Sequence, residues 1–504
     1  NDKHTLGVTL LQSIQEDKRE SVNVAMENLP ADNLKYYDLG SGLVTNTIGS
    51  AMVKWNMASF MGRINYNYLG RYLLTVSARY DGSSRLADGH KWVLFPSAAL
   101  AWRINEESFM SSTSGWLDNL KLRLGFGKTG NSAVDPYQTK GTLSLIRYPF
   151  DNGGTPTIGY APNAMANSLL TWETTDQWNL GIDFGVLRGR INGTIDLYMQ
   201  NTHDLLLKRQ LPVVSGFPDV LSNVGKTRNK GIEVSINSMN INSKDFQWTT
   251  DLMLSSNKEE IVELYNGKND DIGSKWFIGQ PVNVHYDYRK VGIWQNTESD
   301  LAEMAKFAAN GTEFAPGDIK IQDVNGDYKI TDADKQILGN PRPKLIASMV
   351  NTFNYKGFDL SVFLYASFGA MLYNDIYAVE HCGRNGGVKV DYWTPNNPTN
   401  AYPRPSIDEE RPIYITSTYY EKADFLRVKT MTLGYTLPKT LTNKFLVEKL
   451  RVYFTAQNPF IFTNYTGIDP EAAKVNSAGN PETNGSGFGT PSVSSWIFGI
   501  NLTL

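Results

Sequence analysis

Residues 345–370 read LIASMVNTFNYKGFDLSVFLYASFGA, two runs of alternating residues joined by the tight turn Lys356-Gly357. In the second run, apolar side chains collect on one face and mostly polar ones on the other. The first face holds Phe358, Leu360, Val362, Leu364, Ala366 and Phe368, and the second holds Asp359, Ser361, Phe363, Tyr365 and Ser367. This period of two predicts strands at 345–355 and 358–370, the second with one apolar and one mostly polar surface.

A long polar loop precedes this pair of strands, and the same unit recurs along the chain. The loop begins at Gly317 and ends at Gly339-Asn340-Pro341, and other close hairpins turn at Gly70-Arg71 and Arg188-Gly189. Alternation of short turns with long loops is typical of a barrel that keeps its short turns on one side of a membrane. We therefore predict an all-β fold, a transmembrane antiparallel β-barrel with long extracellular loops and short periplasmic turns.

The prediction divides residues 1–504 into about sixteen strands of roughly the 9–11 residues that cross a bilayer. The first strand is placed at 4–15, before a polar segment that lasts to about Ala58. A descending strand is placed within 262–280, where the alternation is weak. The last strand alternates Trp496, Phe498, Ile500 and Leu502 with less apolar residues. The three long extracellular loops are placed at 296–344, 371–423 and 461–493.

The composition is compatible with such a barrel and argues against some other classes. The chain has 504 residues, 41% hydrophobic and 12% aromatic, with 43 glycines and a mean hydropathy of −0.34. A membrane barrel shows lipid only every second residue, so this value fits a barrel and a soluble β-sandwich equally. The net charge of −3 and the absence of a long basic run argue against a nucleic-acid partner. The single cysteine, Cys382, can form no disulfide within the chain.

The loop at 296–344 contains a spacing of oxygen-bearing residues that resembles a calcium-binding loop. Side chains at alternate positions can converge on a hard cation that prefers oxygen ligands. Position 6, where a sharp turn favours glycine, is Tyr328. The alternative is a solvated loop whose Asx side chains cap their own backbone. The candidate ligands are Asp323, Asn325, Asp327, the carbonyl of Lys329 and Asp334.

The loop at 371–423 is rich in aromatic and basic residues that suit a sugar or peptide ligand, or a protein partner. The alternative is packing of loop against loop. We choose Trp393 as an anchor, because a large aromatic side chain beside a proline loses little entropy on docking. The candidate contact residues are Tyr373, Tyr377, Tyr392, Trp393 and Arg404.

The sequence does not predict an enzyme. The five histidines show no metal-ligand spacing, and no Ser/His/Asp arrangement or phosphate-binding loop is present. Glu173 and Asp176 both begin a predicted strand, and nothing pairs them with a nucleophile. A soluble glycan hydrolase would need paired catalytic carboxylates, which we do not find.

A series of short motifs resembles the SusC/RagA branch of TonB-dependent outer-membrane transporters, in the order in which that family carries them. The resemblance covers the chain almost end to end. The motifs include Gly62-Arg63-Ile64-Asn65-Tyr66, Asp81-Gly82-Ser83-Ser84-Arg85, Phe95-Pro96-Ser97, Trp172-Glu173-Thr174-Thr175, Asn229-Lys230-Gly231-Ile232-Glu233, Asp391-Tyr392-Trp393-Thr394-Pro395, Leu433-Gly434-Tyr435-Thr436-Leu437-Pro438 and Asn464-Tyr465-Thr466-Gly467-Ile468-Asp469-Pro470-Glu471.

The resemblance implies a barrel of about 22 strands with a plugged lumen. Such a transporter imports oligosaccharides or peptides across the outer membrane of a Gram-negative, Bacteroidetes-like bacterium, with energy passed on by TonB. A SusD-like surface lipoprotein lids its extracellular mouth. The family's N-terminal half, with the plug and the TonB box, is missing from residues 1–504, so we expect that half to complete the barrel. The alternative is a passive outer-membrane pore or a surface receptor without active transport.

Overall fold

One large antiparallel sheet of fourteen strands dominates the structure. Five two-stranded sheets accompany it among the described residues. No helix in the described ranges has both the length and the apolar character of a membrane span. The computed structural model describes residues 3–150, 157–374, 389–406, 411–442, 444, 447–471 and 491–503.

Twenty-four strands are defined in these ranges. The first twelve are β1 (His4–Glu27), β2 (Val44–Tyr68), β3 (Tyr72–Ser83), β4 (Trp92–Arg103), β5 (Leu117–Asn131), β6 (Thr142–Tyr148), β7 (Thr157–Ala164), β8 (Glu173–Val186), β9 (Ile191–His203), β10 (Leu206–Gln210), β11 (Asp219–Asn223) and β12 (Lys226–Asn242). The others are β13 (Phe246–Glu263), β14 (His285–Asp287), β15 (Lys290–Ile293), β16 (Ile319–Ile321), β17 (Gln336–Gly339), β18 (Leu345–Tyr355), β19 (Phe358–Phe368), β20 (Met371–Tyr373), β21 (Tyr420–Lys422), β22 (Phe425–Thr436), β23 (Lys449–Thr463) and β24 (Ser495–Thr503). The α-helices in the described ranges are α1 (Glu298–Ala309) and the single turn α2 (Lys439–Thr442), and short 3-10 helices lie between the strands.

Each strand of the large sheet lies beside the strand of that same sheet that follows it in the chain; the strands skipped in the numbering belong to the two-stranded sheets. The order is β1-β2-β3-β4-β5-β8-β9-β12-β13-β18-β19-β22-β23-β24, with all pairs antiparallel. Short and long connections alternate along this order. Residues 243–245 join β12 to β13, for example, and residues 264–344 join β13 to β18. The predicted pairing of 345–355 with 358–370 across Lys356-Gly357 is confirmed.

The sheet has fourteen strands where the sequence predicted about sixteen. After β13 ends at Glu263, the chain forms turns and isolated bridges as far as residue 284, so the descending strand predicted within 262–280 is absent. The prediction was wrong because β13 already runs toward the long-loop edge and β18 returns beside it. No further strand is needed to keep the directions alternating.

The first hairpin is much longer than predicted. Strands β1 and β2 have 24 and 25 residues, so most of the polar segment expected between residue 15 and Ala58 is strand. At about 3.3 Å per residue, 24 residues extend roughly 79 Å, far beyond a hydrocarbon core of about 30 Å even when tilted. The outer half of the hairpin therefore needs no lipid-facing pattern, which is why its sequence does not show one.

The two faces of the large sheet differ in character. Trp496, Phe498 and Ile500 of β24 lie on one face and are 58%, 82% and 69% exposed. On the other face Arg451 Nη2 of β23 lies 2.5 Å from Asp359 Oδ2 of β19. A membrane barrel turns its apolar face to lipid. We therefore call the face that carries Trp496, Phe498 and Ile500 the lipid face. We call the opposite face, which carries the Arg451–Asp359 ion pair, the lumen face.

The buried hydrophobic cores lie mainly in the long connections rather than in the sheet. One cluster contains Trp294, Met304 and Phe307, where α1 packs on the residue that directly follows β15. Thr297 starts α1 as its N-cap, with its side chain accepting a hydrogen bond from the Asp300 N–H. These connections are therefore folded structures that stand on the edge of the sheet.

Candidate functional site

The two longest connections pack together into one unit. Residues of 264–344 and of 369–424 share a single hydrophobic cluster. We call the described residues of these two connections the loop body. The buried members of its cluster are Ile293, Ile319, Ile321, Trp393, Tyr402, Ile415 and Tyr419.

Trp393 lies inside the loop body. Its side chain is 6% exposed, and its indole Nε1 donates a 2.9 Å hydrogen bond to Gln295 Oε1. Gly317 faces the ring, and a Cβ at that glycine would lie 2.5 Å from a ring carbon. The prediction that Trp393 anchors a partner does not fit this position, because a ring buried in its own chain offers little surface for docking. The alternative, packing of loop against loop, describes it.

Arg404 and Tyr392 lie on the surface next to this core. Arg404 Nε donates a 2.8 Å hydrogen bond to Asp318 Oδ1, and its side chain is 46% exposed. Tyr392 is 44% exposed. Beside it, hydrogen bonds from Thr399 and Asn397 lower the pKa of the Asp391 carboxyl. These groups present one aromatic ring and two charges to a ligand or a partner.

Of the other two predicted contact residues, one is partly enclosed. Tyr373 is half-buried and packs edge-on against Tyr419 and Tyr420, with ring centres 5.6 and 5.3 Å away. Tyr377 lies outside the described residues. The structure thus brings Trp393, Arg404 and Tyr373 to one loop body, with Tyr392 at its surface.

The predicted calcium loop is built on hydrogen bonds from side chains to backbone. Asp323 accepts from the N–H groups of Gly326 and Tyr328, at 2.7 and 2.8 Å. Tyr328 takes a left-handed conformation with φ of 57°, and its ring packs edge-on against Phe307. This packing offsets the backbone strain that a glycine at the same position would avoid.

Asp334 closes the same loop from its far end. It is fully buried, and its carboxylate accepts from Val324 N–H at 2.9 Å and Thr331 N–H at 2.8 Å. Among the described residues, no three acidic, histidine or cysteine side chains form a group able to hold a metal ion. The contacts are those of the Asx-turn alternative. Calcium binding by Asp323, Asn325, Asp327, Lys329 and Asp334 stays a prediction.

A buried histidine joins the two connections at the base of the loop body. His285 Nε2 lies 2.7 Å from the carbonyl oxygen of Met371, and its ring lies 5.1 Å from that of Tyr420. Its Nδ1 is buried and has no hydrogen-bond partner among the described residues. Burial lowers the pKa of His285, and the bond to Met371 opposes that shift only in part. The histidine is therefore neutral near pH 7.

The lumen face contains a polar cleft that sequence reasoning missed. It is open and has a volume of about 850 Å³. Its carboxylates outnumber its cations, since only one arginine lies among them, in an ion pair 3.0 Å from Glu259. The lumen-facing positions of β8, β9 and β12 could have indicated it once their register was known. The charged and aromatic residues lining it are Glu173, Asp196, Tyr198, Glu233, Glu259 and Arg342.

A second missed feature is a buried ion network where the β23–β24 connection meets the sheet. Arg427 Nη2 of β22 donates to Asp469 Oδ1 at 2.5 Å, and the two side chains are 5% and 4% exposed. Lys429 Nζ donates to Glu471 Oε1 at 2.6 Å. Arg427 Nε also lies 2.5 Å from Glu471 Oε2, in ion contact but without the alignment of a hydrogen bond. The network ties residues 469–471 to the lumen face.

Comparisons with known proteins identify the family. The family described as TonB dependent receptor-like, beta-barrel matches residues 23–458. The TonB-dependent receptor P3 of Formosa agariphila is 32% identical over 99% of this chain and 50% of its own length. The TonB-dependent receptor SusC of Bacteroides thetaiotaomicron is 35% identical over 82% of this chain and 41% of its own.

A solved structure agrees in fold. The structure of the RagAB peptide transporter superposes with a TM-score of 0.82 at 24% identity, over 100% of this chain and 54% of that one. The chain spans about half the length of the relatives it matches. The fourteen-stranded sheet, the alternating connections and these matches agree with the family that the motifs suggested. The chain belongs to the SusC/RagA family of TonB-dependent receptors, a non-enzymatic family of outer-membrane β-barrels.

Proposed function

We propose that this chain forms part of a TonB-dependent importer that carries a peptide or an oligosaccharide across the outer membrane. The observation that carries the proposal is the polar cleft on the lumen face of a sheet whose other face is apolar. Carboxylates, amides and a tyrosine hydroxyl can hydrogen-bond the N–H and O–H groups of a hydrated cargo. An apolar cargo would leave those groups unsatisfied.

The lumen cleft is expected to discriminate among cargoes by charge. Four carboxylates and one guanidinium line it, and Arg123 forms an ion pair with one of the four, Asp196, at 2.9 Å. Two cations against four carboxylates still leave an excess of negative charge. A neutral sugar or a cationic peptide would avoid the repulsion that an anionic cargo meets there. The structurally similar RagAB complex is a peptide transporter, and we extend that cargo class to this chain only as one of two candidates.

We propose that a SusD-like lipoprotein closes the mouth of the barrel by docking on the loop body. The core that joins residues 264–344 to 369–424 makes the body a folded support, so a partner would not have to order it on binding. Tyr392 replaces Trp393 as the proposed aromatic contact, with Arg404 beside the same core. The predicted loops 296–344 and 371–423 both contribute to this surface. The third, 461–493, lies largely outside the described residues.

We propose that strands outside these 504 residues complete the barrel, together with a plug and a TonB contact. Strands β1 and β24 lie at the two edges of the large sheet, and each pairs with a single neighbouring strand among the described residues. An unpaired strand edge in hydrocarbon costs several kcal/mol for each unsatisfied group. The half-length coverage of the relatives supports the same view.

The test is uptake by intact cells of the full-length protein's host. Labelled peptides and oligosaccharides are offered to wild-type cells, to cells without this protein and to cells without TonB. Import that needs both proteins supports the proposal. The alternative, a passive pore, predicts uptake that persists without TonB, and a surface receptor predicts binding without internalisation. Either result would rule out active import.

A further inference from the structure

A cluster of charged residues interrupts the lipid face of β12 and β13. Arg228 and Lys230 share that face with Ile232, because successive residues of a strand alternate between faces. The register places Arg228 opposite Glu260 and Lys230 opposite Lys258. Lys230 is exposed, and the side chain of Lys258 is 63% exposed. Two lysines therefore lie side by side on the outer surface of the barrel.

The positive charge of this cluster is not balanced within the described part of the chain. Arg228 Nη1 and Lys258 Nζ each lie 3.5 Å from an oxygen of Glu260. Lys230 has no acidic partner within ion-pair distance among the described residues. Three cations thus share one carboxylate. Like charges directly opposite each other destabilise a strand pair, so the arrangement indicates an anion that is not part of the protein.

The cluster lies at the height of the lipid headgroups. Lys230 and Lys258 each lie thirteen residues from the short turn 243–245. At about 3.3 Å per residue and a strand tilt of about 40°, this places them roughly 33 Å above the turn. The apolar band of such barrels is about 25 Å tall. The lysines therefore lie just beyond the hydrocarbon, on the side of the long loops.

The residues around the cluster fit a lipid better than a soluble partner. Directly below it, Ile232, Val234 and Leu254 continue the lipid face toward the short turn. To one side, Trp178 is 48% exposed and lies 4.7 Å from the ring of Phe126. Aromatic rings of this kind mark the interface between lipid and water in membrane barrels. The cluster thus combines cations at headgroup level with apolar contacts for acyl chains.

We propose that Arg228, Lys230 and Lys258 bind the phosphate groups of an anionic membrane lipid in the leaflet on the long-loop side. The Arg228 guanidinium donates its Nε–H to Asn201 Oδ1 at 2.8 Å, and its Nη N–H groups can donate to a phosphate. The two ammonium groups act as point charges. The acyl chains then lie along Ile232, Val234 and Leu254. This inference is independent of the proposed cargo and of active transport.

The experiment titrates the full-length protein, in neutral detergent, with diphosphorylated lipid A and counts bound lipids by native mass spectrometry. The double variant Lys230→Gln/Lys258→Gln is expected to bind this lipid about tenfold or more weakly, because each surface lysine attracts anionic lipid independently. The conservative variant Lys230→Arg/Lys258→Arg is expected to bind like the wild type. Removal of two like charges should not impair folding, which heat-modifiability on gels checks.

A matched control removes two lysines that already have carboxylate partners. Lys128 lies 3.7 Å from Asp176, and Lys226 lies 2.7 Å from Glu263. The variant Lys128→Gln/Lys226→Gln is expected to bind lipid A within about threefold of the wild type. Equal binding by the wild type and the Lys230→Gln/Lys258→Gln variant would overturn the proposal. So would displacement of the lipid by millimolar inorganic phosphate, which would indicate a site for small anions.

Discussion

The indole Nε1 of Trp393 donates a 2.9 Å hydrogen bond to Gln295 Oε1, a residue 98 positions away that belongs to the other long connection. Around this bond, side chains from both connections form a single core. We therefore expect the loop body to unfold as a unit, with a stability that can be measured separately from that of the barrel.

Replacing Trp393 by alanine should loosen the whole loop body. Loss of a buried tryptophan costs about 3–5 kcal/mol, and Gln295 loses a hydrogen-bond partner as well. We expect faster amide hydrogen exchange throughout 290–321 and 389–404, with unchanged exchange in β18 and β19. The neighbouring variant Tyr392→Ala is the control, because its side chain is 44% exposed and should cost the loop body little. Equal loosening by both variants would contradict the assignment of Trp393 to the core.

Replacing Asp469 by asparagine should release the start of the β23–β24 connection. The change removes the carboxylate that accepts the hydrogen bond of the buried Arg427 and leaves Glu471 as its one remaining anionic neighbour among the described residues. Breaking a fully buried pair costs roughly 3–5 kcal/mol, so we expect a loss of up to about that size. We expect new protease cleavage near residues 464–471. The control is Asp359→Asn, which removes the partner of Arg451 at the opposite end of the lumen face. If that control produces the same cleavage, the ion pair to Arg427 is not what holds this connection.

The same pair should respond to strong acid. Burial alone would raise the pKa of Asp469, but the N–H groups of Ser492 and Glu471 outweigh it and lower that pKa. The ionised carboxylate therefore stabilises the folded connection at pH values above about 3.9, the pKa of an aspartate in the unfolded chain. That stabilisation is lost as the pH falls through the lower pKa that Asp469 has in the folded protein. Protection of 464–471 should decline below about pH 4 in the wild type. In the Asp469→Asn variant, the protection of 464–471 should be lower at neutral pH and should not fall again below about pH 4, because asparagine does not titrate.

His285 should make the loop body sensitive to mild acid. Its pKa is lowered in the folded state, whereas the unfolded chain takes up a proton near pH 6.5. The unfolded state then binds more protons, so the loop body loses stability as the pH falls below about 6.5. The variant His285→Gln can still donate to the Met371 carbonyl and does not titrate. Exchange measured between pH 5 and 7 should show the dependence in the wild type alone.

Calcium is expected to bind the loop from Asp323 to Asp334. A cation would neutralise the acidic side chains and raise the protection of the loop's amides. Isothermal titration with calcium chloride should release or absorb heat with the wild type, and chelation should reverse the added protection. The variant Asp323→Asn/Asp327→Asn should abolish both effects. Absence of heat at millimolar calcium would leave the loop with its Asx turns only.

Strand pairing was predictable where the alternation of residues was long and regular. Phe358 to Phe368 shows it for eleven residues, and the register of β18 and β19 follows from the turn between them. The outer half of the β1–β2 hairpin was missed because it extends beyond the bilayer, where no apolar face is required. The extra strand in 262–280 came from weak alternation in a connection that forms turns.

The site was less predictable than the sheet, because its contacts join distant parts of the chain. The composition of the loop at 371–423 indicated that Trp393 and Arg404 were candidate contact residues. It did not indicate that Trp393 would be buried and Arg404 exposed. Local spacing cannot show that Gly317 packs on the ring of Trp393. In the same way, the cross-strand pair Lys230 and Lys258 becomes visible only when the register of β12 and β13 is known.

The most direct test of the barrel topology asks whether β13 crosses the membrane with the loop body outside. Cysteines replace Lys244, in the short turn before β13, and Lys268, in the connection after it, in a full-length protein that carries Cys382→Ser. Intact cells are treated with a membrane-impermeant maleimide. We predict that Lys268→Cys is labelled and that Lys244→Cys is labelled only after the outer membrane is permeabilised. Labelling of Lys244→Cys in intact cells would contradict this topology.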